Sequence, residues 1–214
     1  MERKPKRRTR ERILETALQL FNEQGEATVS TAAIAERMGI SAGNLYYHFA
    51  SKEKIVAALF ANFRREMEAT LAAPSGRPAH AEDVWLFLHL LFEAIWKYRF
   101  LYRDLTDIAA RHRTIAGPLR RLIRQKSDAA GAILRALVAA GEMDATEAQI
   151  GSLATTMTIV ACYWLSFSAA TEGRDVAVGP TLARGAFHVI SLAAPYLAPR
   201  ERMLFEQLAQ RYLH

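Results

Sequence analysis

Apolar residues recur every three or four positions along most of the chain, and the breaks between these segments contain glycine or proline. Ala and Leu abound, whereas runs in which Val, Ile or Thr alternate with polar residues are scarce. This periodicity is typical of amphipathic helices and not of strands. With 214 residues, of which 51% are hydrophobic, the chain is long enough to bury a substantial core. We therefore predict an all-α protein.

The breaks predict short helices in the first 65 residues and longer ones after the Pro/Gly/Ser stretch "AAPSGRPAH". We assign residues 1–60 to a three-helix domain with a basic arm, and residues 61–214 to a larger helical domain. The predicted helices are 10–24, "TAAIAERM", about two turns after Ser41, one beginning "SKEKIVAALF", and then about 81–97, 98–111, 118–140, 145–172, 180–196 and 199–213.

Two of the short helices are joined by the tetrapeptide "MGIS". Gly39 can take the left-handed conformation that ends a helix, and Ser41 can cap the next one. This is the spacing of a helix-turn-helix, the arrangement that places its second helix in the major groove of DNA. Leu45 and Phe49 lie four residues apart and are expected to face inward.

The second of these helices contains the unusual run "GNLYYHF". Tyrosines, a histidine and small polar residues are poor core material but suit a nucleic-acid surface, where hydroxyl and imidazole groups reach phosphate oxygens. Three alternatives remain open: Tyr46 or Tyr47 packs as an ordinary aromatic, His48 is a surface histidine without a DNA contact, and Ser41 serves only as a cap.

The net charge of +6 is concentrated near the N-terminus. Residues 1–12 hold seven basic and two acidic side chains, which is 7 − 2 = +5. A cationic arm ahead of a balanced body favours a polyanionic partner. The alternative is a tail without a function.

The segment "TVSTAAIAERMGISAGNLYYHFASKEKIVAAL" resembles the DNA-binding part of the TetR family of bacterial transcriptional regulators, and the resemblance covers residues 10–60. It implies that Thr31 contacts a phosphate or base. At the position of Ala42, many members of the TetR family carry a longer side chain. Recognition of bases by this helix would therefore depend on the residues next to Ala42 and on contacts with thymine methyl groups. The DNA-binding residues implied are Thr31, Ser41, Ala42, Gly43 and Asn44 at the groove, and Tyr46, Tyr47, His48 and Lys52 on the backbone.

The resemblance also implies a small-molecule cavity in the larger domain and a homodimer formed by the helices at about 145–172 and 180–196. An aromatic lining would suit a lipophilic or aromatic effector. The alternatives are that most of these aromatics are plain core and that His89 forms only a pair with Glu93. The candidate pocket residues are Trp85, His89, Phe92, Trp96, Tyr102, Tyr163 and Phe167.

The predicted function is a ligand-responsive repressor that binds a pseudo-palindromic operator in double-stranded DNA as a homodimer. The alternative is a DNA-bound adaptor or activator whose C-terminal domain recruits a protein. We expect no enzyme, catalytic residue, cofactor or metal site, since no phosphate loop, HExxH motif or Cys/His cluster is present.

Two further features concern location. A single cysteine, Cys162, cannot form an intrachain disulfide, and the basic N-terminus is not followed by the apolar stretch of a secretion signal, which together favour the cytoplasm. Residues 148–171 carry no charge and are long enough to span a membrane, but their many hydroxyl groups favour a helix buried between others or at a subunit interface.

Overall fold

The computed structural model describes residues 4–72, 81–173 and 177–213, and side chains within 8–72, 84–173 and 177–207. These ranges contain helices and no strand, apart from one isolated bridge between Met143 and Leu197. The prediction of an all-α protein is confirmed. The helices are α1 (Lys4–Gln24), α2 (Thr31–Met38), α3 (Ala42–His48), α4 (Lys52–Ala72), α5 (Ala81–Lys97), α6 (Arg99–Arg103), α7 (Leu105–Arg111), α8 (Arg113–Ala139), α9 (Glu147–Glu172), α10 (Val178–Ser191) and α11 (Pro199–Leu213), with a 3-10 turn at Ala194–Tyr196.

The helix bounds differ from the predicted ones by more than two residues in four places. The helix predicted at 180–196 ends at Ser191 and is followed by the 3-10 turn. The first helix begins at Lys4 and not at residue 10, so most of the basic arm is helical. The stretch predicted as 98–111 is two helices that meet at Asp104. Helix α8 begins before Pro118, which lies inside it, although proline was expected to mark its start.

The chain divides into two compact units. Unit 1 comprises residues 1–65 and 98–116, and unit 2 comprises residues 66–97 and 117–214. Residues 98–116 lie in the C-terminal domain by the predicted boundary at residue 60, but they pack within unit 1. The helices α4 and α8 each contribute to both units.

Aromatic packing explains why residues 98–116 belong to unit 1. The ring of Phe100 lies 5.4 Å from that of Phe21, and Tyr102 packs edge-on against Phe63 at 5.6 Å. The Phe100 backbone N–H also donates to the buried Asn22 side-chain oxygen at 3.0 Å. Burying such rings contributes most of the stability of a small helical core.

In unit 2, α10 packs against α5 and α9. The close approach depends on Gly185, which is buried. A Cβ atom there would lie 2.6 Å from Cε1 of Phe92 and 2.7 Å from Cδ1 of Trp164, closer than real carbon atoms come. The Trp164 indole N–H donates to the carbonyl of Thr181 at 2.9 Å, which fixes the α9–α10 pair.

Candidate nucleic-acid interface and ligand cavity

The turn between α2 and α3 is fixed by local hydrogen bonds. Gly39 has a φ of 64°, and its N–H donates to the carbonyl of Glu36. The hydroxyl of Ser41 accepts from the Asn44 backbone N–H at 3.2 Å. Each bond satisfies a group that a helix end leaves unpaired. The predicted helix-turn-helix is therefore present, and Ser41 does act as a cap.

The inner face of this motif is closed. Ile34, Leu45 and Phe49 are buried, as the spacing predicted. The guanidinium of Arg10 lies 4.8 Å from the centre of the Phe49 ring, a cation–π contact from the basic helix α1. These contacts hold α3 so that its other face points outward.

The outer face of α3 is open. Ala42, Gly43 and Asn44 are exposed, and Tyr46 and Tyr47 are 51% and 67% exposed. Tyr46 and Tyr47 are therefore not core residues, although Tyr46 keeps about half of its surface buried, as a partly buried packing aromatic would.

The two tyrosines are positioned by neighbours. Tyr46 and Thr31 bring their hydroxyl oxygens within 3.3 Å, so the predicted phosphate contacts of α2 and α3 lie side by side. The Tyr47 ring stands edge-on to His48 at 5.3 Å, and His48 is half-buried. The interface that we call the α3 surface consists of Thr31, Ala42, Gly43, Asn44, Tyr46, Tyr47 and His48.

Lys52 lies elsewhere than the resemblance implied. Its ammonium donates to the carbonyls of Glu26 and Val29 at 2.9 and 3.1 Å, and it lies 3.1 Å from Oε1 of Glu26. Three acceptors within unit 1 match the three protons of an ammonium group. This geometry counts against the predicted phosphate contact by Lys52.

Glu26 is the centre of a buried charged cluster that sequence reasoning missed. Only 1% of Glu26 is exposed, and its carboxylate pairs with Lys52, with Arg111 and, at 3.3 Å, with Nε2 of His112. Burial by itself would raise the pKa of Glu26, but the interactions with His112 and Lys52 outweigh it and lower the pKa to about 2. The cluster ties the loop before α2 to α4 and to the end of α7.

Unit 2 contains a cavity of about 60 Å³ between α5, α8, α9, α10 and α11, with Leu71 at the end of α4 also in its wall. Its lining is almost entirely aliphatic and aromatic, and the wall includes Leu88, Leu134, Met157 and Val189. The ring of Trp85 also lines it and stacks on Phe205 at 6.1 Å.

Of the seven predicted pocket residues, Trp85 alone lines this cavity. Phe92 is buried in packing against Gly185, and Tyr102 lies in the core of unit 1. The remaining four candidate side chains lie outside this cavity. Trp96 is half-buried outside the cavity, His89 is exposed and lies 3.2 Å from Glu93 as the surface-pair alternative proposed, and Tyr163 and Phe167 are 44% and 58% exposed on α9.

Lys126 is a lining residue that sequence reasoning missed. It is 5% exposed, and burial lowers the pKa of its ammonium group. A signal was available in the sequence, because Lys126 follows the buried Leu119 and Leu122 at the helical spacing of the apolar face of α8.

Helix α9 has one face that is exposed and uncharged. Thr155, Ile159, Tyr163 and Phe167 recur every four residues along it and are all exposed. Among the described helices, α9 is also the one that is long and apolar enough to cross a membrane, with half of its apolar window buried in the protein. A helix that is half-buried in a packed unit can have the length and composition of a membrane-spanning helix without crossing a membrane.

Comparison with known proteins decides the family. The profile of the tetR family of bacterial regulatory proteins matches residues 13–59, and a TetR profile described as a bacterial transcriptional repressor matches residues 62–205. The chain belongs to the TetR family. A TetR-family transcriptional regulator from Marinobacter aquaeolei VT8 has a solved structure that is similar over 95% of this chain and 98% of its own, with 30% identity and a TM-score of 0.86.

Two other similarities to this TetR-family chain are either shorter or weaker. The HTH-type transcriptional regulator UidR of Escherichia coli K12 is 45% identical over 51 residues, which are 24% of this chain and 26% of UidR. The chain therefore matches about a quarter of the length of that curated relative. The SmeT–triclosan complex shares the fold, with 21% identity, a TM-score of 0.59, and coverage of 90% of this chain and 93% of SmeT.

Proposed function

We propose that this TetR-family protein is a transcriptional repressor that binds operator DNA as a homodimer and releases it when a small molecule enters the cavity of unit 2. The observation that carries the proposal is the exposure of Tyr46 and Tyr47 beside the small residues of α3. The proposal assigns base contacts to Ala42, Gly43 and Asn44, and phosphate contacts to the hydroxyl groups and to His48. It also places the protein in the cytoplasm and not in a membrane.

The helical part of the basic arm supports DNA binding as well. Arg8, Arg10 and Arg12 are exposed on α1, and Arg10 is anchored by Phe49 at the end of α3. Cations close to a recognition helix would neutralise phosphates and release counterions, so affinity should fall steeply with salt.

The uncharged face of α9 supports the homodimer. An exposed apolar row of this kind on a soluble helical unit is typical of an interface. A two-fold axis beside α9 and α10 would bury it against itself in a four-helix arrangement and present two copies of α3 to successive major grooves.

The cavity supports control by a small molecule. A ligand that binds one conformation better than another shifts the equilibrium towards it, and a coupling of about 1–3 kcal/mol changes DNA affinity about 5–150-fold. The triclosan complex of SmeT, a protein of the same fold, fits this view.

The test begins with the purified full-length protein and a pool of random duplexes, from which bound sequences are selected. We expect the selection to enrich a DNA sequence with two-fold symmetry. Sedimentation analysis should show that the protein binds this duplex as a dimer. Equal binding of all duplexes at low salt, or a monomer at micromolar concentration, would contradict the proposal. Fluorescence anisotropy of the selected duplex then reports its release by candidate effectors.

A further inference from the structure

Helix α8 is the second place in the chain where positive charge is concentrated. It holds six basic side chains and one acidic side chain, Asp128, which is 6 − 1 = +5. Residues 1–12 supply another +5, so the rest of the chain carries 6 − 5 − 5 = −4. The excess of positive charge therefore lies in two segments, and the proposed function uses only the first of them.

Three of the basic side chains of α8 form an exposed row in unit 2. Arg120, Arg121 and Arg124 are exposed, whereas their neighbours Leu119 and Leu122 are buried. At about 3.6 residues per turn, the three arginines lie within about 100° of one another around the helix axis, on the side opposite the two leucines. We call these three residues the α8 arginine row.

The α8 arginine row is unpaired within the described part of the chain, where none of its guanidinium groups makes a hydrogen bond or an ion pair. Other exposed arginines do have acidic partners: Arg37 lies 3.7 Å from Glu23, and Arg135, on the same helix, pairs with Glu147. Residues 108–127 contain no aspartate or glutamate. A surface that only needs to be solvated usually mixes both signs of charge, so an unpaired row of one sign favours an anionic partner.

The chemistry of the row fits phosphate groups. A guanidinium group is planar, stays charged and offers five N–H donors, which match two oxygens of one phosphate. Arg120 and Arg124 are separated by about 6 Å along the helix axis, at about 1.5 Å per residue. This span corresponds to about two phosphate steps of one DNA strand, at about 3.4 Å of duplex axis for each step. The arginines of the row can therefore bind separate phosphates of one strand.

Duplex DNA is the polyanion that the row is best placed to bind. The chain belongs to the TetR family, and its α3 surface is proposed to hold a duplex. Once one segment of a duplex is held, the other phosphates of that molecule are present at a high effective concentration. An acidic segment of another protein would have to bind from solution, without this advantage.

We propose that the α8 arginine row is a second DNA-binding surface, which binds the phosphate backbone of duplex DNA without sequence preference. Such a surface goes beyond the proposed function, which assigns the DNA contacts to residues of unit 1. It shares with that function only the premise that the protein binds DNA, and it requires neither an effector nor a homodimer.

The test uses the full-length protein and two duplexes of equal length. One holds the selected site with two helical turns of DNA on each side, and the other has the same bases in scrambled order. Arg120→Gln/Arg124→Gln should lower the affinity for both duplexes at least about tenfold in fluorescence anisotropy, because charge-assisted bonds to phosphate are lost. The ratio of the two affinities should stay within about twofold, since phosphates carry no sequence information.

The salt dependence of binding gives a second measurement. Each phosphate that a basic side chain neutralises makes the slope of log K against log salt concentration steeper by about 0.9. The slope of Arg120→Gln/Arg124→Gln should therefore be shallower than that of the unaltered protein by roughly 1.8 for each bound subunit.

Two controls separate direct contact from the loss of charge. Arg135→Gln/Arg200→Gln removes two exposed positive charges elsewhere in unit 2 and should change both affinities by less than about twofold, because distant exposed charges are screened by salt. Arg120→Lys/Arg124→Lys keeps the charge of the row and should keep the salt slope of the unaltered protein. Circular dichroism and thermal melting establish that each variant is folded, and Arg120→Gln and Arg124→Gln are measured singly if the double variant is not.

The remaining outcomes decide between the two proposals. Equal losses in the row variant and in Arg135→Gln/Arg200→Gln, a loss confined to the selected duplex, or no loss would overturn the second DNA-binding surface and leave the proposed repressor intact. Unchanged DNA affinity together with weaker binding of polyglutamate would also overturn it, because the row would then bind an acidic protein. Equal binding of both duplexes by the unaltered protein, lost from both in the row variant, would contradict the proposed repressor and support the second surface. Failure to bind either duplex would overturn both proposals.

Discussion

The α3 surface of unit 1 and the cavity of unit 2 are built in opposite ways. The residues of the α3 surface lie between Thr31 and His48. The hydrogen bonds that cap its helices and form its turn join residues at most five positions apart. The cavity draws its wall from helices between Leu71 and Phe205. Local bonds leave a readable motif in the sequence, whereas a cavity assembled from distant helices leaves none. The first region is therefore recognisable as a pattern, and the second requires a structure.

The Glu26 cluster tests whether unit 1 depends only on local bonds, and it should give the largest effect. Glu26→Gln keeps the shape but removes the charge that Lys52, Arg111 and His112 share. Removing one member of a buried ion pair costs up to about 3–5 kcal/mol, and we expect the lower end of this range because the side chains of Lys52 and Arg111 remain 23% and 33% exposed. Urea denaturation should show this loss.

The matched control is Glu23→Gln, which removes an exposed pair with Arg37 at 3.7 Å. We expect a change within about 1 kcal/mol, as is usual for surface ion pairs. Equal effects of Glu23→Gln and Glu26→Gln would show that the cluster adds nothing to the local bonds of unit 1.

Gly185 provides the corresponding test in unit 2. Gly185→Ala places a methyl group against Phe92 and Trp164, and overpacking of this kind costs about 1–3 kcal/mol. Gly179→Ala, in the same helix with open space around it, should be neutral or slightly stabilising because alanine favours the helix. Thermal unfolding measures the stability of both variants. A Gly185→Ala variant as stable as the unaltered protein would mean that α10 shifts to make room for the methyl group at little cost.

Tyr47→Phe tests the α3 surface with a smaller change. Loss of one hydroxyl bond to a charged phosphate in each subunit of the proposed dimer should lower affinity for the selected duplex by at least about tenfold. Stability should not change, since the ring is 67% exposed. The matched control is Tyr196→Phe, in the 3-10 turn of unit 2. Fluorescence anisotropy measures the affinity of both variants for the selected duplex. If Tyr196→Phe lowered this affinity as much as Tyr47→Phe, the result would contradict DNA binding by the α3 surface.

The pH dependence of stability tests the Glu26 cluster a second time. The pKa of Glu26 is lowered from 4.5 to about 2 in the folded protein, so its contribution is fully present above pH 4.5 and is lost as the pH falls towards 2. The difference in stability between the unaltered protein and Glu26→Gln should therefore shrink between pH 5 and about pH 3. A difference that stays constant over this range would contradict the lowered pKa.

The sequence predicted the parts of the fold that adjacent residues determine. The cap at Ser41, the left-handed Gly39 and the inward Leu45 follow from local rules and are present. The placement of Tyr102 in unit 1 could not be predicted in this way, because its partner Phe63 is 39 positions away in the chain. Aromatic content alone does not tell a cavity wall from a core or an exposed face.

Lys52 and Lys126 show the same limit for charged residues. Both are lysines in helices rich in polar groups, yet one donates to Glu26 and Val29 within unit 1 and the other lines the cavity. For Lys126, its position on the apolar face of α8 was enough to predict that the side chain is buried. For Lys52 no local pattern indicates the acceptors, since they lie more than 20 residues earlier.

The exposed row on α9 carries no ionised group anywhere between residues 148 and 171. Association through such a face draws on the exclusion of water, which added electrolyte leaves intact or strengthens. Contacts between basic side chains and phosphates respond in the opposite direction. Raising the salt concentration should therefore weaken DNA binding without weakening association through α9. At high salt we expect protein that is free of DNA while its subunits stay paired.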